Sequence, residues 1–240
     1  MLRGGTRLLR IAVDLDGVCY EFDRTARYML REYKNEELGP STSWDSMEDA
    51  IGPELWRWLF SEGIELGLFR YGHVTRGAIV GLRALADAGH TLLVVSHRPA
   101  LAVPDTLAWL AYQQLPWSEI HILSNGEAKS SVPADVLIDD RPENIRDWER
   151  AGREGILVDR SHNQDYVVPC RAKDWREVVM CVQRMAMNRE RQLPSSHPCL
   201  ESALKMAAGS SRRETRSPGK WTTRTKRLSS RTLISGSTDS

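Results

Sequence analysis

Five short apolar runs, at residues 8–14, 91–96, 119–124, 134–139 and 155–159, stand out along the chain. They are rich in Val, Ile and Leu and lack the strict alternation of a half-exposed sheet, which is the pattern of strands covered on both faces. Helical spacing fills the gaps between several of them. Ile79, Leu82, Leu85 and Ala86 share one helical face after Thr75, which reads as an N-cap, and Gly89 supplies the stop. Residues 104–114 predict a second helix opening near Pro104, and residues 142–151, between Pro142 and Gly152, a third. Trp175, Val178, Val179, Val182 and Met185 mark one more amphipathic helix. Strands alternating with helices predict an α/β protein with a doubly wound, Rossmann-like parallel sheet.

Residues 21–74 break this alternation. Ala26, Met29, Leu30 and Tyr33 are spaced as one face of a helix, and Gly52-Pro53 opens another through Leu55, Trp56, Leu59 and Phe60. The segment reads as a small helical cap inserted after the first strand, over one end of the sheet. The expected organisation is therefore a core of residues 1–20 and 75–192, a cap of residues 21–74, and an extension of residues 193–240. In that extension Ser, Thr and Arg dominate, and Trp221 with a few leucines is too sparse for a core, so disorder is expected. No internal repeat is present.

Composition narrows the class. At 240 residues, 41% hydrophobic and 27% charged, the chain has room for one good-sized domain with an insertion and the balance of a soluble globular protein. Residues 201–240 hold nine Lys or Arg and three acids, a net +6, which leaves −5 on residues 1–200 (24 basic against 29 acidic). A mildly acidic body gives no general nucleic-acid signature, and the basic tail reads as a solvated extension. Cys19, Cys170, Cys181 and Cys199 form no CxxC pair and have no zinc-ligand spacing, which fits reduced thiols in a cytoplasm. No apolar run approaches the ~20 residues of a membrane helix. The Arg-containing N-terminus faintly resembles a transit peptide, but a strand beginning near Leu8 leaves almost nothing to cleave. A cytoplasmic location is expected, and a homodimer stays open.

The chemistry lies where the apolar runs end. The first run ends in Asp14-Leu15-Asp16-Gly17, the second in Ser96, and the fourth in Asp139-Asp140, while the third leads into a loop carrying Lys129. Carboxyl ends of parallel strands line the ligand crevice of such a sheet, so these groups should converge. Each alone is weak: an Asp-x-Asp is most often a loop or cap, and a lone lysine is a surface lysine. Together they suit a phosphate monoester. Mg²⁺ bound by the aspartates would neutralise their repulsion, and Lys129 with the Ser96 hydroxyl would hold phosphoryl oxygens. One carboxylate can attack phosphorus while a second, protonated one serves the leaving alkoxide.

IAVDLDGV, LLVVSHRP, Lys129 and VLIDDRPENI resemble the four ordered motifs of the haloacid dehalogenase superfamily of phosphohydrolases. DGVCYEFD, ILSNGEAKSSVPADVLIDDRPENI and the later His162-Asn163-Gln164 and Lys173-Asp174-Trp175 resemble the 5′(3′)-deoxyribonucleotidases more narrowly, over about residues 8–190. The resemblance implies Asp14 as nucleophile and metal ligand, and Asp16 as general acid/base whose backbone carbonyl also reaches the metal. It further implies Ser96 and Lys129 as phosphate holders, Asp139 as a metal ligand and Asp140 as a residue beside it. Phe22 stands where that family places an aromatic against the nucleobase. Ser96 replaces a frequent Thr, and His97 after it would touch phosphate or sugar. Trp44 is the second candidate for the pocket, whereas Trp56, Trp58, Phe60 and Phe69 are expected to form the core of the cap. His162 and His73 read as structural histidines. The expected substrate is a nucleoside monophosphate. DDRPENIRDWERAG also resembles the phosphatase domains of polynucleotide kinases, so a 3′-phosphatase of nucleic-acid ends is an alternative, as is a non-catalytic nucleotide-binding protein.

Overall fold

In the computed structural model, which describes residues 8–43, 46–124 and 126–191, six parallel strands form one sheet. They are β1 (Arg10–Val13), β2 (Thr91–Ser96), β3 (Glu119–Ile122), β4 (Val136–Asp139), β5 (Glu154–Val158) and β6 (Arg171–Ala172). All five expected strands form, with ends shifted by two residues or fewer. The sixth, only two residues long, is too short to leave a periodic signal. The helices are α1 (Phe22–Lys34), α2 (Ser46–Leu59), α3 (Glu62–Glu65), α4 (Ala78–Asp87), α5 (Val103–Gln113), α6 (Pro142–Arg150) and α7 (Trp175–Arg191). The basic segment 193–240, including Cys199, lies outside the described residues, while Cys19, Cys170 and Cys181 are free thiols. Among the described residues, no helix is long and apolar enough to cross a membrane.

Both sheet faces are covered, which explains the unbroken apolar runs. Ile11, Val13, Leu92, Val94, Val136, Ile138, Ile156 and Val158 pack on one side with Leu82 and Leu85 of α4, Trp109 of α5, and Val178 and Val182 of α7. Ala12, Leu93, Val95, Leu137 and Leu157 face the other way, against Ile145 and Trp148 of α6. Each such fully buried aliphatic side chain contributes about 1.5–3 kcal/mol.

The strand order β3-β2-β1-β4-β5-β6 reverses direction at β1, so β1 and β4 become neighbours at the point where a ligand crevice opens. Their register sets Val13 opposite Ile138, and the Asp14 N–H donates to the Ile138 carbonyl at 2.9 Å. Asp14 and Asp139 therefore leave the sheet side by side, although they lie on strands far apart in sequence.

The segment between β1 and α4 packs as a cluster of its own. Ala26, Met29 and Leu30 of α1 meet Met47, Trp58 and Leu59 of α2, with Ile64, Leu68 and Phe69 behind them. The expected helix start at Gly52-Pro53 is a kink inside α2: Gly52 has φ 75°, and Pro53 restarts the helix where a missing N–H costs nothing. The half-helix before it escapes a periodic reading because it carries only Met47, Ala50 and Ile51 as apolar residues. Thr75 is not the N-cap of α4. Gly77, at φ 84°, occupies that position, and Thr75, itself buried, lines the cleft described below.

Gly81 of α4 lies against Trp175 at the start of α7, whose indole Nε1–H donates to the Val18 carbonyl at 3.1 Å. A Cβ at position 81 would stand 2.6 Å from Trp175 Cε3. Gly81→Ala should therefore destabilise the protein by about 1–3 kcal/mol through overpacking. A lowered urea midpoint is the expected reading, and an unchanged midpoint would contradict this close packing.

Candidate active site

The predicted groups converge at the carboxyl ends of β1, β2 and β4. Lys129, in a 3-10 turn spanning Lys129–Ser131, is buried with 2% of its side chain exposed. Its Nζ donates to Asp139 Oδ2 at 2.7 Å and pairs with Asp14 Oδ1 at 2.8 Å. Asp139 is further held by the Arg141 N–H at 2.8 Å and by Asn144 Nδ2 at 3.1 and 3.2 Å. Both donors come from the start of α6, where the helix dipole also favours a carboxylate. Ser96 is buried at the end of β2 and lines the same cleft.

Asp14, Asp139 and Asp140, all buried, each offer a carboxylate oxygen within 4.8 Å of the others. Asp140 Oδ2 also lies 3.1 Å from His162 Nε2, and its backbone carbonyl accepts from Asn163 Nδ2 at 2.7 Å. This trio can exist only because residue 17 is glycine. Gly17 has φ +76°, and a Cβ there would lie 1.7 Å from Asp140 Oδ2.

Electrostatics follow from burial. Desolvation pushes the Asp14 carboxyl up to about 6 from 3.8, opposed by Lys129 and reinforced by Asp139 and Asp16. Desolvation likewise raises Asp140, partly offset by His162. Burial alone would lower Lys129, but the carboxylates of Asp139 and Asp14 outweigh it and hold the ammonium above its ordinary value. Three carboxylates beside one ammonium would, once ionised, carry two unbalanced negative charges, which one hard divalent cation on oxygen ligands would match.

Asp16 does not join that trio. Its carboxylate turns to Arg98, whose Nε donates to Oδ2 at 2.9 Å and Nη2 to Oδ1 at 2.7 Å. His97 lines the cleft, with its Nε2 2.7 Å from the Glu127 carbonyl, so that nitrogen braces the loop leading to Lys129. Phe22 opens α1 and stacks on Phe69 at a centroid distance of 5.9 Å and 19° between planes. Trp44 lies outside the described residues.

Above these groups is a cleft of about 430 Å³ that reaches from Asp14, Asp16, Ser96 and Lys129 to the cap residues Phe22, Met47, Trp56, Phe60 and Phe69. The expectation that the cap aromatics form only its core needs correcting for three of them. Trp58 is buried in that core, but Trp56, Phe60 and Phe69 serve the cap cluster and the cleft wall together. Phe60 lies 6.1 Å from Phe22 and 4.8 Å from Trp56 between centroids, giving one continuous aromatic surface. His162, expected to be structural, also lines the cleft beside Asp140. Arg98 and Arg160 were not singled out from sequence, and Thr75 was read only as a helix cap. Of these, only Arg98 had a local sign, its position two residues after Ser96.

Comparisons with known proteins agree with this geometry. Residues 7–187 match the family described as 5′ nucleotidase, deoxy (Pyrimidine), cytosolic type C protein. A protein of Chlorobaculum tepidum provisionally described as a 5′(3′)-deoxyribonucleotidase is 30% identical over 179 residues, covering 70% of this chain and 87% of its own. The 5′(3′)-deoxyribonucleotidase of Clostridium acetobutylicum is 27% identical over 169 residues, covering 70% and 91%. Among solved structures, a phosphatase from Clostridium acetobutylicum, so described by prediction, superposes with TM-score 0.53 at 15% identity, over 74% of this chain and 100% of that one. A haloacid dehalogenase-like hydrolase from Streptococcus pneumoniae gives TM-score 0.51 at 13% identity, over 73% and 98%, and these two likenesses concern the fold. The family match runs through every strand described above, and the chain accordingly belongs to the 5′ nucleotidase, deoxy (Pyrimidine), cytosolic type C family, a phosphatase of phosphoric monoesters on the haloacid dehalogenase fold.

Proposed function

We propose that the protein is a Mg²⁺-dependent 5′(3′)-deoxyribonucleotidase that hydrolyses nucleoside monophosphates through an aspartyl-phosphate on Asp14. The observation that carries this reading is the buried trio of Asp14, Asp139 and Asp140 clamped by Lys129 beneath an aromatic-walled cleft. The three carboxylates fit a hard cation, because Gly17 leaves room for Asp140 and the trio carries more negative charge than Lys129 balances. Asp14, Asp139 and the Asp16 backbone carbonyl would hold Mg²⁺, with Asp140 beside it. The bound ion would supply charge neutralisation at the phosphoryl group.

The chain's own groups then divide the work. Asp14 attacks phosphorus, forming a P–O bond to its carboxylate as the ester P–O bond to the sugar breaks. Asp16 gives a proton to the leaving sugar oxygen, and later takes one from the water that attacks phosphorus and releases inorganic phosphate and Asp14. Lys129 and the Ser96 hydroxyl hold the equatorial oxygens. Phe22, Phe60 and Trp56 offer flat faces to a base, a sequence-tolerant contact worth about 1–3 kcal/mol per stacked base.

Purified protein with Mg²⁺ should release phosphate from dUMP or dTMP. Chelation or Asp14→Asn should abolish release, and Asp16→Asn should slow turnover by about 10²–10⁴-fold. The panel should include ribonucleotides, 3′-monophosphates and a 3′-phosphorylated oligonucleotide. No phosphate from any nucleotide would end the reading, and preference for the oligonucleotide would transfer the site to nucleic-acid ends.

A stability measurement tests the charge balance separately. The Asp14 carboxyl, raised to about 6 in the folded protein, binds its proton more tightly than in the unfolded chain. Its contribution to stability is full below pH 3.8 and is lost as pH rises through about 6. In chelator, Asp14→Asn should therefore gain stability relative to wild type as pH is raised from 4 to 7, by on the order of 1–3 kcal/mol. Mg²⁺ at pH 7.5 should raise the wild-type melting temperature much more than that of Asp14→Asn. A difference between the two proteins that stays flat with pH would contradict the assignment.

A further inference from the structure

We infer that Arg98 is a positioning residue that holds Asp16 in its working orientation, apart from the Asp14, Asp139 and Asp140 trio. This rests on the reading of Asp16 as the acid/base group. The guanidinium side chain is completely buried, at 0% exposure. Its fork meets both Asp16 oxygens, and its remaining terminal nitrogen, Nη1, donates to Thr106 Oγ1 at 3.0 Å. Thr106 is itself fixed, its hydroxyl donating to the Ala102 carbonyl at 2.8 Å. Aromatic rings of Tyr20 and Phe69 lie 4.7 and 4.6 Å from the guanidinium carbon. Three separate elements thus immobilise one cation: the loop after β1, the cap and α5.

The geometry has a consequence for Asp16. Unrestrained, its carboxylate would be a fourth acid beside three others and free to approach the same cation. The fork draws it away and fixes its plane. A carboxylate has about four lone-pair sites, and the fork takes two of them. The other two remain available on a side chain that is 17% exposed and lines the cleft. Proton transfer to a leaving oxygen requires hydrogen-bond reach at a defined angle, so this orientation matters in the transition state. Arginine alone has the planar fork that sets both distance and plane; lysine would supply charge without the angle.

The test uses leaving groups. A nucleotide expels a strongly basic sugar alkoxide that must be protonated, whereas p-nitrophenyl phosphate expels a weakly basic phenolate that needs no acid. Arg98→Met and Arg98→Lys should lower kcat on a nucleoside monophosphate by about 10²–10³-fold, close to the effect of losing the acid itself. The first-turnover burst of p-nitrophenolate, which reports phosphorylation of Asp14 alone, should slow less than about 10-fold, whereas the later hydrolysis of the aspartyl-phosphate, which uses Asp16 as base, should slow equally for both esters. Asp16→Asn should give the same split, and Arg98→Met combined with Asp16→Asn should lose no more than Asp16→Asn alone. Thr106→Val keeps the fork while removing its anchor, and should slow first-turnover nucleoside release several-fold more than the p-nitrophenolate burst. It decides the matter if Arg98→Met does not fold.

Equal slowing of the first, leaving-group step on both esters, full nucleotide turnover in Arg98→Met, or additive losses in the double variant would each overturn the role of Arg98. Those outcomes require a wild type that hydrolyses the nucleotide. A wild type that hydrolyses neither ester overturns the nucleotidase reading instead.

Discussion

The ammonium of Lys129 lies buried between Asp14 and Asp139, and the geometry of the site is organised around that contact. Two carboxylates leaving adjacent parallel strands would repel each other in a medium that screens poorly. The lysine offsets that repulsion, and the carboxylates in turn keep the ammonium charged despite burial. A buried pair of this kind is stable only when its remaining lone pairs are occupied. The start of α6 does this for Asp139 with one backbone N–H and the Asn144 amide. Asp140 is fixed through its own backbone by Asn163 and fits because Gly17 has no side chain. These constraints come from the segments that follow β1, β3, β4 and β5 at one end of the sheet.

A second buried cation organises the other side of the cleft. Arg98 stands between Asp16 and the cap, so the same guanidinium meets a core carboxylate and a cap ring, Phe69. Phe69 also stacks on Phe22 in the cleft wall. The aromatic wall of the cleft and the Asp16–Arg98 pair therefore share one ring. Core and cap are joined at their polar edge too, where Ser161 Oγ–H donates to the Ser41 carbonyl.

Much of the sheet, and the meeting of the polar residues that end its strands, was legible because both are written locally. An apolar run predicts a strand, and the polar residue that ends it predicts where a reactive group emerges. Asp14, Ser96, Asp139 and Asp140 all obey that rule, and Lys129 follows from its place after β3. Arg98 does not. In Ser-His-Arg-Pro it looks like an exposed turn residue, and what buries it are Tyr20, Phe69 and Thr106, contributed by segments whose spacing says nothing about their meeting. The cap aromatics were half legible for a related reason. The i, i+4 spacing of Trp56 and Phe60 predicts their contact with each other, but not that one edge of the pair faces a cleft. Thr75 misled because a threonine before a helical stripe has the composition of an N-cap, while the left-handed conformation of Gly77 takes that position.

The division between sheet and cap also explains why reaction class is easier to read from this sequence than substrate. Strand register fixes Asp14 beside Asp139 to within a hydrogen bond, whatever the cap does. The outer wall of the cleft is made of residues whose positions depend on how α1 and α2 pack, including the kink at Gly52 and the polar residues Asp23, Ser41 and Ser43. Packing of that kind tolerates substitution so long as volume is kept, so it leaves a weaker trace in sequence than a carboxylate that must sit beside a lysine. Arg98 connects the two layers. Burying it behind Phe69 removes water from the pair with Asp16, and the fork strengthens as the surrounding dielectric falls. A cap seated over the cleft is thus, on electrostatic grounds, the arrangement in which Asp16 is held most firmly.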